Sequence, residues 1–303
     1  MTKNFIITTT INQPTEAIIK YDNLVDWNLI VVGDKKTPLD YNLQRGFYFS
    51  PEEQEHYDKE LSDLIEWNCI QRRNFGLLKA FDLGAEIIAT IDDDNIPYSN
   101  WGEEILINKN INSNYYVSEE IAFDPICITN HKNIWHRGFP IQLLNSRNYK
   151  LETKIIKPMV QADFWNGDPD IDAICRMEHR PDCKFDEKYF PFSSNTFSPF
   201  NSQNTFLHKS VIKDYFLFPH IGRMDDIWAS YYLESLGNSV IYNKPTVYQE
   251  RNEHNLTIDF EKEIIGYINN IPLLEDLKKS PKKISNYLPE KSNKAFKRYK
   301  SHF

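Results

Sequence analysis

Residues 90–97 read TIDDDNIP: three consecutive aspartates follow an apolar run and stand just before an Asn and a Pro. Adjacent carboxylates repel and cannot be buried unpaired, so something must compensate them where the strand ends. A divalent cation does so directly, because Mg²⁺ and Mn²⁺ prefer carboxylate oxygens and also hold phosphate oxygens. Along an extended chain Asp92 and Asp94 point to one face and Asp93 to the other, which makes Asp92 and Asp94 the candidate metal pair. The plainer alternative is an acidic turn with an Asn-Ile-Pro exit.

Working outward, Ile70, Asn74, Leu77, Leu78 and Phe81 fall at helical spacing between Cys69 and Leu83, and Gly84 stands where a helix C-cap belongs. A strand over residues 86–91 follows at once. Upstream, the β-branched run Phe5 to Thr9 leads through Gln13-Pro14-Thr15-Glu16 into Ala17-Ile18-Ile19, a strand feeding a helix. Trp27 to Val32 is the next strand, closed by Gly33-Asp34. This βαβ start predicts a parallel sheet covered by helices. In open α/β sheets the ligand crevice lies at the carboxyl ends of the strands, so Thr9-Thr10, Asp34 and the aspartate triplet point to one site. Arg72 and Arg73 open the helix that runs into the acidic strand, a poor match to the helix dipole but a good one to a docked anion such as pyrophosphate; the alternative is surface pairing with Glu60 or Glu66.

The second half is less regular, with aromatic and proline-rich stretches (189–192, 197–200) that read as an acceptor-side elaboration. Residues 225–236 have helical spacing through Ile227, Trp228, Tyr231 and Leu233, and a strand is expected over 239–242. The expected organisation is a catalytic unit over 1–256, its nucleotide-binding half at 1–100 and its acceptor-side half at 101–256, followed by a helical, basic tail at 257–303. After Asp276 the chain carries nine Lys or Arg and a single acidic residue, Glu290. That composition reads as a solvated tail, or as a peripheral membrane contact, since clustered cations attract anionic lipid.

The totals bound the rest. A chain of 303 residues with 41% hydrophobic content can bury a sizeable core, and a net charge of -8 argues against a broad nucleic-acid surface. Cys69, Cys127, Cys175 and Cys183 show no metal-knuckle or disulfide spacing. With an N-terminus lacking a long apolar segment and no run of membrane-spanning length, the expected location is cytoplasmic.

The stretch RRNFGLLKAFDLGAEIIATIDDDN (72–95) resembles the R-x-N-x-G, A-x-x-x-G-A and D-x-D block of glycosyltransferases with the GT-A fold. FWNGDPDIDAI (164–174), PFNSQNTFLHK (199–209), GRMDDIW (222–228) and VYQERNEHN (247–255) are similar to the STELLO-type glycosyltransferases. The resemblance covers roughly residues 5–255 and implies a GT-A α/β fold, a mainly parallel sheet flanked by helices, and a nucleotide-diphosphate sugar, most often a UDP-sugar, held with Mn²⁺ or Mg²⁺. Carried over by motif position, Asp94 binds metal and Asp92 the ribose or the metal. Thr8, Thr9, Thr10 and Asp34 hold the nucleoside, and Arg73 with Asn74 faces the nucleotide. His254 is the late metal ligand, with Glu250 and Asn252 as competitors.

The resemblance also makes the helix opening at residue 225 the carrier of a catalytic base, with Asp226 a better match than Asp225; capping of that helix is the structural alternative. Asp168, Asp170 and Asp172 sit at alternate positions but lack the Gly and Glu of an EF-hand loop, so they are assigned to acceptor hydroxyls or to capping of a helix over 171–177. Trp165 is a candidate sugar platform or a core aromatic. Gln203 and Asn204 line the donor sugar or satisfy loop backbone. The expected function is transfer of a sugar from a UDP-sugar to a glycan or lipid-linked acceptor, with inversion as the favoured course and retention as its alternative, since a metal-bound diphosphate leaves equally well in either. The alternatives are a nucleotide-sugar mutase of the UDP-arabinopyranose type, which needs no acceptor, and a GT-A scaffold without activity.

Overall fold

The computed structural model describes residues 2–250 and 255–303. Its apolar runs become the parallel strands β1 (Asn4–Thr10), β2 (Asn28–Gly33), β3 (Phe47–Phe49) and β4 (Ile87–Ile91), adjacent in the order β3-β2-β1-β4. Helices α1 (Glu16–Asp22), α2 (Pro51–Tyr57), α3 (Lys59–Ile65) and α4 (Arg73–Asp82) connect them. Thr15 caps α1, and a Ser50–Glu53 capping box starts α2. A glycine in the middle of a helix costs about 1 kcal/mol against alanine, yet Gly76 sits inside α4. A Cβ there would lie 2.3 Å from Ile7 Cγ2 and 2.8 Å from Val32 Cγ2, so its absence lets α4 rest directly on β1 and β2. Gly84, at φ +80°, ends the helix as the spacing predicts.

The remaining strands are β5 (Asn95–Pro97), β6 (Ile111–Val117), β7 (Lys150–Ile156), β8 (Val160–Gly167), β9 (Phe192–Ser194), β10 (Asn204–His208) and β11 (Val240–Gln249). They extend the same sheet as β4-β10-β8-β11-β9-β6-β7, with β5 against β11. The decisive strand for the site is β10, which runs antiparallel to both β4 and β8, with Asn204 opposite Ile91. It therefore enters the sheet where β4 leaves it. Because β8 and β11 run parallel to each other, their ends at Gly167 and Gln249 reach that same edge.

Four further helices, α5 (Ala173–Glu178), α6 (Asp225–Ser235), α7 (Leu256–Lys279) and α8 (Glu290–Lys300), complete the architecture. The expectation of a separate basic tail is corrected here. Leu273, Leu274 and Leu277 of α7 and Phe296 and Tyr299 of α8 belong to the same buried cluster as Phe5 and Ile88. Apolar residues at helical spacing between the lysines give each helix a face to bury, and Phe296 stacks on Phe216. The cations largely meet acidic partners: Arg298 with Asp58, Lys291 with Glu66, Lys300 with Asp214, Lys283 with Asp276 and Lys294 with Glu290. Exposed pairs of this kind add little stability each, but they neutralise much of the charge that suggested a lipid contact. No helix among the described residues is long and apolar enough to cross a membrane.

Gly222 fixes where α6 begins. It has φ +63°, and a Cβ on it would lie 2.1 Å from the carbonyl oxygen of Lys262 in α7. Gly222→Ala is therefore expected to destabilise the fold by about 2–4 kcal/mol, the sum of left-handed backbone strain and a displaced helix. The urea midpoint reads this directly, and an unchanged midpoint would contradict the close approach.

Candidate active site

The parallel register brings the ends of β1, β2 and β4 together, and a cleft of about 340 Å³ opens over them. Thr9, Thr10, Asp34, Arg73, Asp92, Asp93 and Asp94 line it. Six of these were expected there from sequence; the seventh, Asp93, turns to the other side of the loop. Its Oδ2 accepts from the Thr10 hydroxyl and from Asn12 Nδ2 (3.1 Å), and its carbonyl accepts from the Thr15 hydroxyl. The middle aspartate thus braces the loop while Asp92 and Asp94 remain on the cleft.

A second lobe of about 410 Å³ adjoins the first and shares Asp92 with it. Arg137, Ser202, Gln203, Asp225 and Asp226 lie on this side. Arg73, buried at the seam, binds the two lobes: one terminal nitrogen donates to Asp92 Oδ1 at 2.8 Å, the other to the Ser202 carbonyl at 2.6 Å and its hydroxyl at 2.9 Å. Ser202 in turn donates from its backbone nitrogen to Asp226 Oδ2 at 3.0 Å. The tip of β4 and the start of α6 are therefore linked through a single arginine and the loop before β10.

The aspartate pair at the start of α6 divides sharply. Asp226 accepts from both terminal nitrogens of Arg137, at 2.9 and 3.1 Å, besides Ser202. The same arginine donates from Nε to Asp170 at 2.9 Å and from a terminal nitrogen to the Arg223 carbonyl. Asp225 accepts from the neutral amide of Gln71 at 2.8 Å, and no cation pairs with it among the described residues. Burial, and then the Asp226 charge, push its carboxyl up to about 7.

Other expected contacts are not on the cleft. Thr8 is fully buried within β1. Asn74 is fully buried as well, its amide exchanging hydrogen bonds with the backbone of Leu217 at 2.9 and 3.0 Å, so it anchors a loop rather than facing the nucleotide. Arg72 likewise turns into the core, donating to Gln54 and Ser62 with its guanidinium 3.6 Å over the Trp67 ring, and faces neither an anion nor Glu60. Asp170 is locked to Arg137 and Asn201. Asp168 pairs with Arg176, and Asp172 caps α5. Trp165 is 3% exposed and packs on Phe164, a core aromatic with no face for a sugar. Asn204 is buried and tied to Trp101 and Thr246, whereas Gln203 does reach the second lobe. Thr8 and Asn74 point away from the cleft because strand and helix packing decides which way a side chain turns, whereas buried Trp165, the capping Asp172 and Asn204, which donates to the Asp163 and Phe164 carbonyls, follow the structural alternatives that the sequence offered. His254 and Asn252 lie outside the described residues. Glu250, just before them, is exposed and donates its backbone N–H to the Asp94 carbonyl at 3.3 Å.

No family model matches the chain. It is 24% identical over 282 residues to STELLO2 of Arabidopsis thaliana, named a probable glycosyltransferase, and 23% identical over 278 residues to STELLO1 of the same plant. Over most of its length the chain is similar to the STELLO proteins. The matches cover 82% of this chain but 36% and 35% of those proteins, so it spans about a third of the length of its curated relatives. Among solved structures, the glucosyl-3-phosphoglycerate synthase of Mycobacterium tuberculosis, in complex with phosphoglyceric acid, aligns with a TM-score of 0.45 at 11% identity over 90% of this chain and 79% of its own.

The part of the site invisible to motif reading is its bracing. Arg137 lies in the unremarkable stretch HRGF, about 90 residues from its partner Asp226, and neither Gln71 nor Ser202 belongs to a chemical signature. The available hints were Gln71 beside two arginines and Ser202 inside the block PFNSQNTFLHK.

Proposed function

We propose that this STELLO-like chain is a glycosyltransferase that transfers a sugar from a nucleotide-diphosphate donor, a UDP-sugar, to a glycan or lipid-linked acceptor. The observation that carries the reading is the two-lobed cleft at the strand ends, with a carboxylate-rich lobe on one side of Asp92 and the aspartates of α6 on the other. Two lobes suit two substrates, and a mutase has no need of the second.

The first lobe suits the nucleotide. Asp34 accepts from the Asn68 backbone at 2.7 Å through Oδ2, while its buried Oδ1 has no hydrogen-bond partner. A ribose hydroxyl or a base N–H would satisfy that oxygen, since a buried acceptor left unpaired costs about 1–3 kcal/mol. Among the described residues the carboxylates of Asp34, Asp92 and Asp94 and the one guanidinium of Arg73 line this lobe, so a diphosphate would meet more negative than positive charge there. Mn²⁺ or Mg²⁺ on Asp92 and Asp94 reverses that sign. The residues fit such an ion in donor chemistry: both are hard carboxylates on the cleft, with Glu250 beside Asp94 and His254 four residues further on. No group of three metal-ligating side chains is gathered among the described residues, and His254 lies outside them. When bound, the ion neutralises charge developing on the departing diphosphate.

The chain's own residues do the rest. Asp34 with Thr9 and Thr10 orients the nucleoside, Arg73 holds Asp92 in place, and the carboxylate pair of α6 stands across the seam where an acceptor hydroxyl enters for direct displacement with inversion. A panel of nucleotide sugars, screened for thermal stabilisation and UDP release with Mn²⁺, tests the reading. One donor should raise the melting temperature by mass action and release UDP. No response from any nucleotide sugar would remove the proposal, and isomerisation of the donor without transfer would favour the mutase.

A further inference from the structure

We infer that Asp225, rather than Asp226, takes the proton from the acceptor hydroxyl, and that Asp226 is a positioning residue held by Arg137. The inference rests on the glycosyl-transfer reading above. Its basis is the division of labour within one turn of helix. To accept a proton, Asp226 would have to give up a bidentate pair with Arg137 and the donors of Ser202, all in a buried setting. Charge-assisted bonds of that kind are the strong ones. Asp225 gives up less, because Gln71 Nε2 keeps its bond, weakened but unbroken, when the carboxylate becomes the carbonyl oxygen of a carboxylic acid, and no guanidinium pairs with it among the described residues.

Position agrees. Asp225 lines the second lobe, across from Asp92. The charged and titratable groups that face it are Asp226 and Arg223 from its own segment, and Arg137, Asp92, His220 and Lys262 from the elements around the lobe. Cys69, also on the lobe, stays a neutral thiol, since burial pushes it up to about 11. Burial raises Asp225 toward neutrality, which suits a general base working near pH 7. In the step itself, the acceptor oxygen bonds to the anomeric carbon as the bond from that carbon to the diphosphate oxygen breaks. The bonding pair leaves with the nucleoside diphosphate, and the acceptor proton moves to an Asp225 oxygen and later to water.

The test uses whichever nucleotide sugar of the panel the full chain turns over with Mn²⁺. Asp225→Asn should lower kcat by about 10²–10⁴-fold while the affinity for UDP, measured by calorimetry, and the melting temperature hold. The wild-type rate should fall on the acid side of about pH 7, and this limb should be missing from the residual activity of Asp225→Asn. Asp225→Ala should regain turnover with added formate, a small carboxylate that occupies the space. Asp226→Asn should instead lower the melting temperature and keep the acid limb in whatever activity survives. Turnover of Asp225→Asn within threefold of wild type, or an acid limb that persists in it, overturns the assignment. A product that keeps the donor's anomeric configuration overturns it while leaving glycosyl transfer standing. If the wild type releases UDP from no nucleotide sugar, the proposed function falls and this inference with it.

Discussion

Arg137→Met is expected to remove most of the protein's stability. Arg137 is the cation that Asp170 and Asp226 share, their side chains 2% and 5% exposed, and the methionine takes its guanidinium from both buried carboxylates. Breaking one such pair from one side costs about 3–5 kcal/mol, against a total stability of about 5–15 kcal/mol for a typical domain. Lysine should not rescue the site, since a single ammonium cannot serve two carboxylates with the planar fork that Arg137 uses. Adding Asp170→Asn and Asp226→Asn to the methionine variant removes the stranded charges and should recover part of the loss. The urea midpoint measures each step; a loss below about 1 kcal/mol in Arg137→Met, the typical worth of an exposed ion pair, would show that the network is not the brace described.

Asp94→Asn is expected to remove metal-dependent UDP binding and turnover together. An amide keeps the size of the side chain but loses the charge that a hard cation requires. Replacing even an outer partner of a metal ligand weakens a site by about 10–100-fold, so loss of a direct ligand should exceed about 100-fold. Calorimetry of UDP with and without Mn²⁺ separates the possibilities: unchanged Mn²⁺ dependence in Asp94→Asn would remove Asp94 from the metal site. A chain that binds no UDP at all, with or without the ion, would instead fit the scaffold reading.

Much of the first lobe was legible in the sequence because it depends on local rules. Strand, helix and strand alternate between Asn4 and Ile91, parallel pairing follows, and the residues just past each strand must then share one edge. The same period-two logic separated Asp93 from its neighbours. Thr8 fell outside the cleft because it lies inside β1, fully buried in the sheet, whereas Thr9 and Thr10 stand at the end of the strand that opens onto it. Asn74 and Gly76 belong to a recognisable block for a packing reason: one ties the loop at Leu217, the other lets α4 close on the sheet.

The second lobe resisted because its contacts are long-range. Asp170, Asp225 and Asp226 are aspartates of equal appearance in the sequence, and their differences come from partners far along the chain, Arg137 and Gln71. The basic C-terminus was misread for a related reason. Lysine content suggests a solvated tail, whereas Phe296 and Tyr299 find a hydrophobic surface built from Phe216 and Phe218, which lie some 80 residues away.

By itself, then, the sequence determined the parallel N-terminal half of the sheet and the concentration of charge in TIDDDNIP, because side-chain alternation and turn chemistry act over a few residues. Only the tertiary structure decided which carboxylates are locked by Arg137 and which, like Asp225, remain able to take a proton. Burial and ion pairing depend on groups brought together from every part of the chain, and no local pattern encodes them.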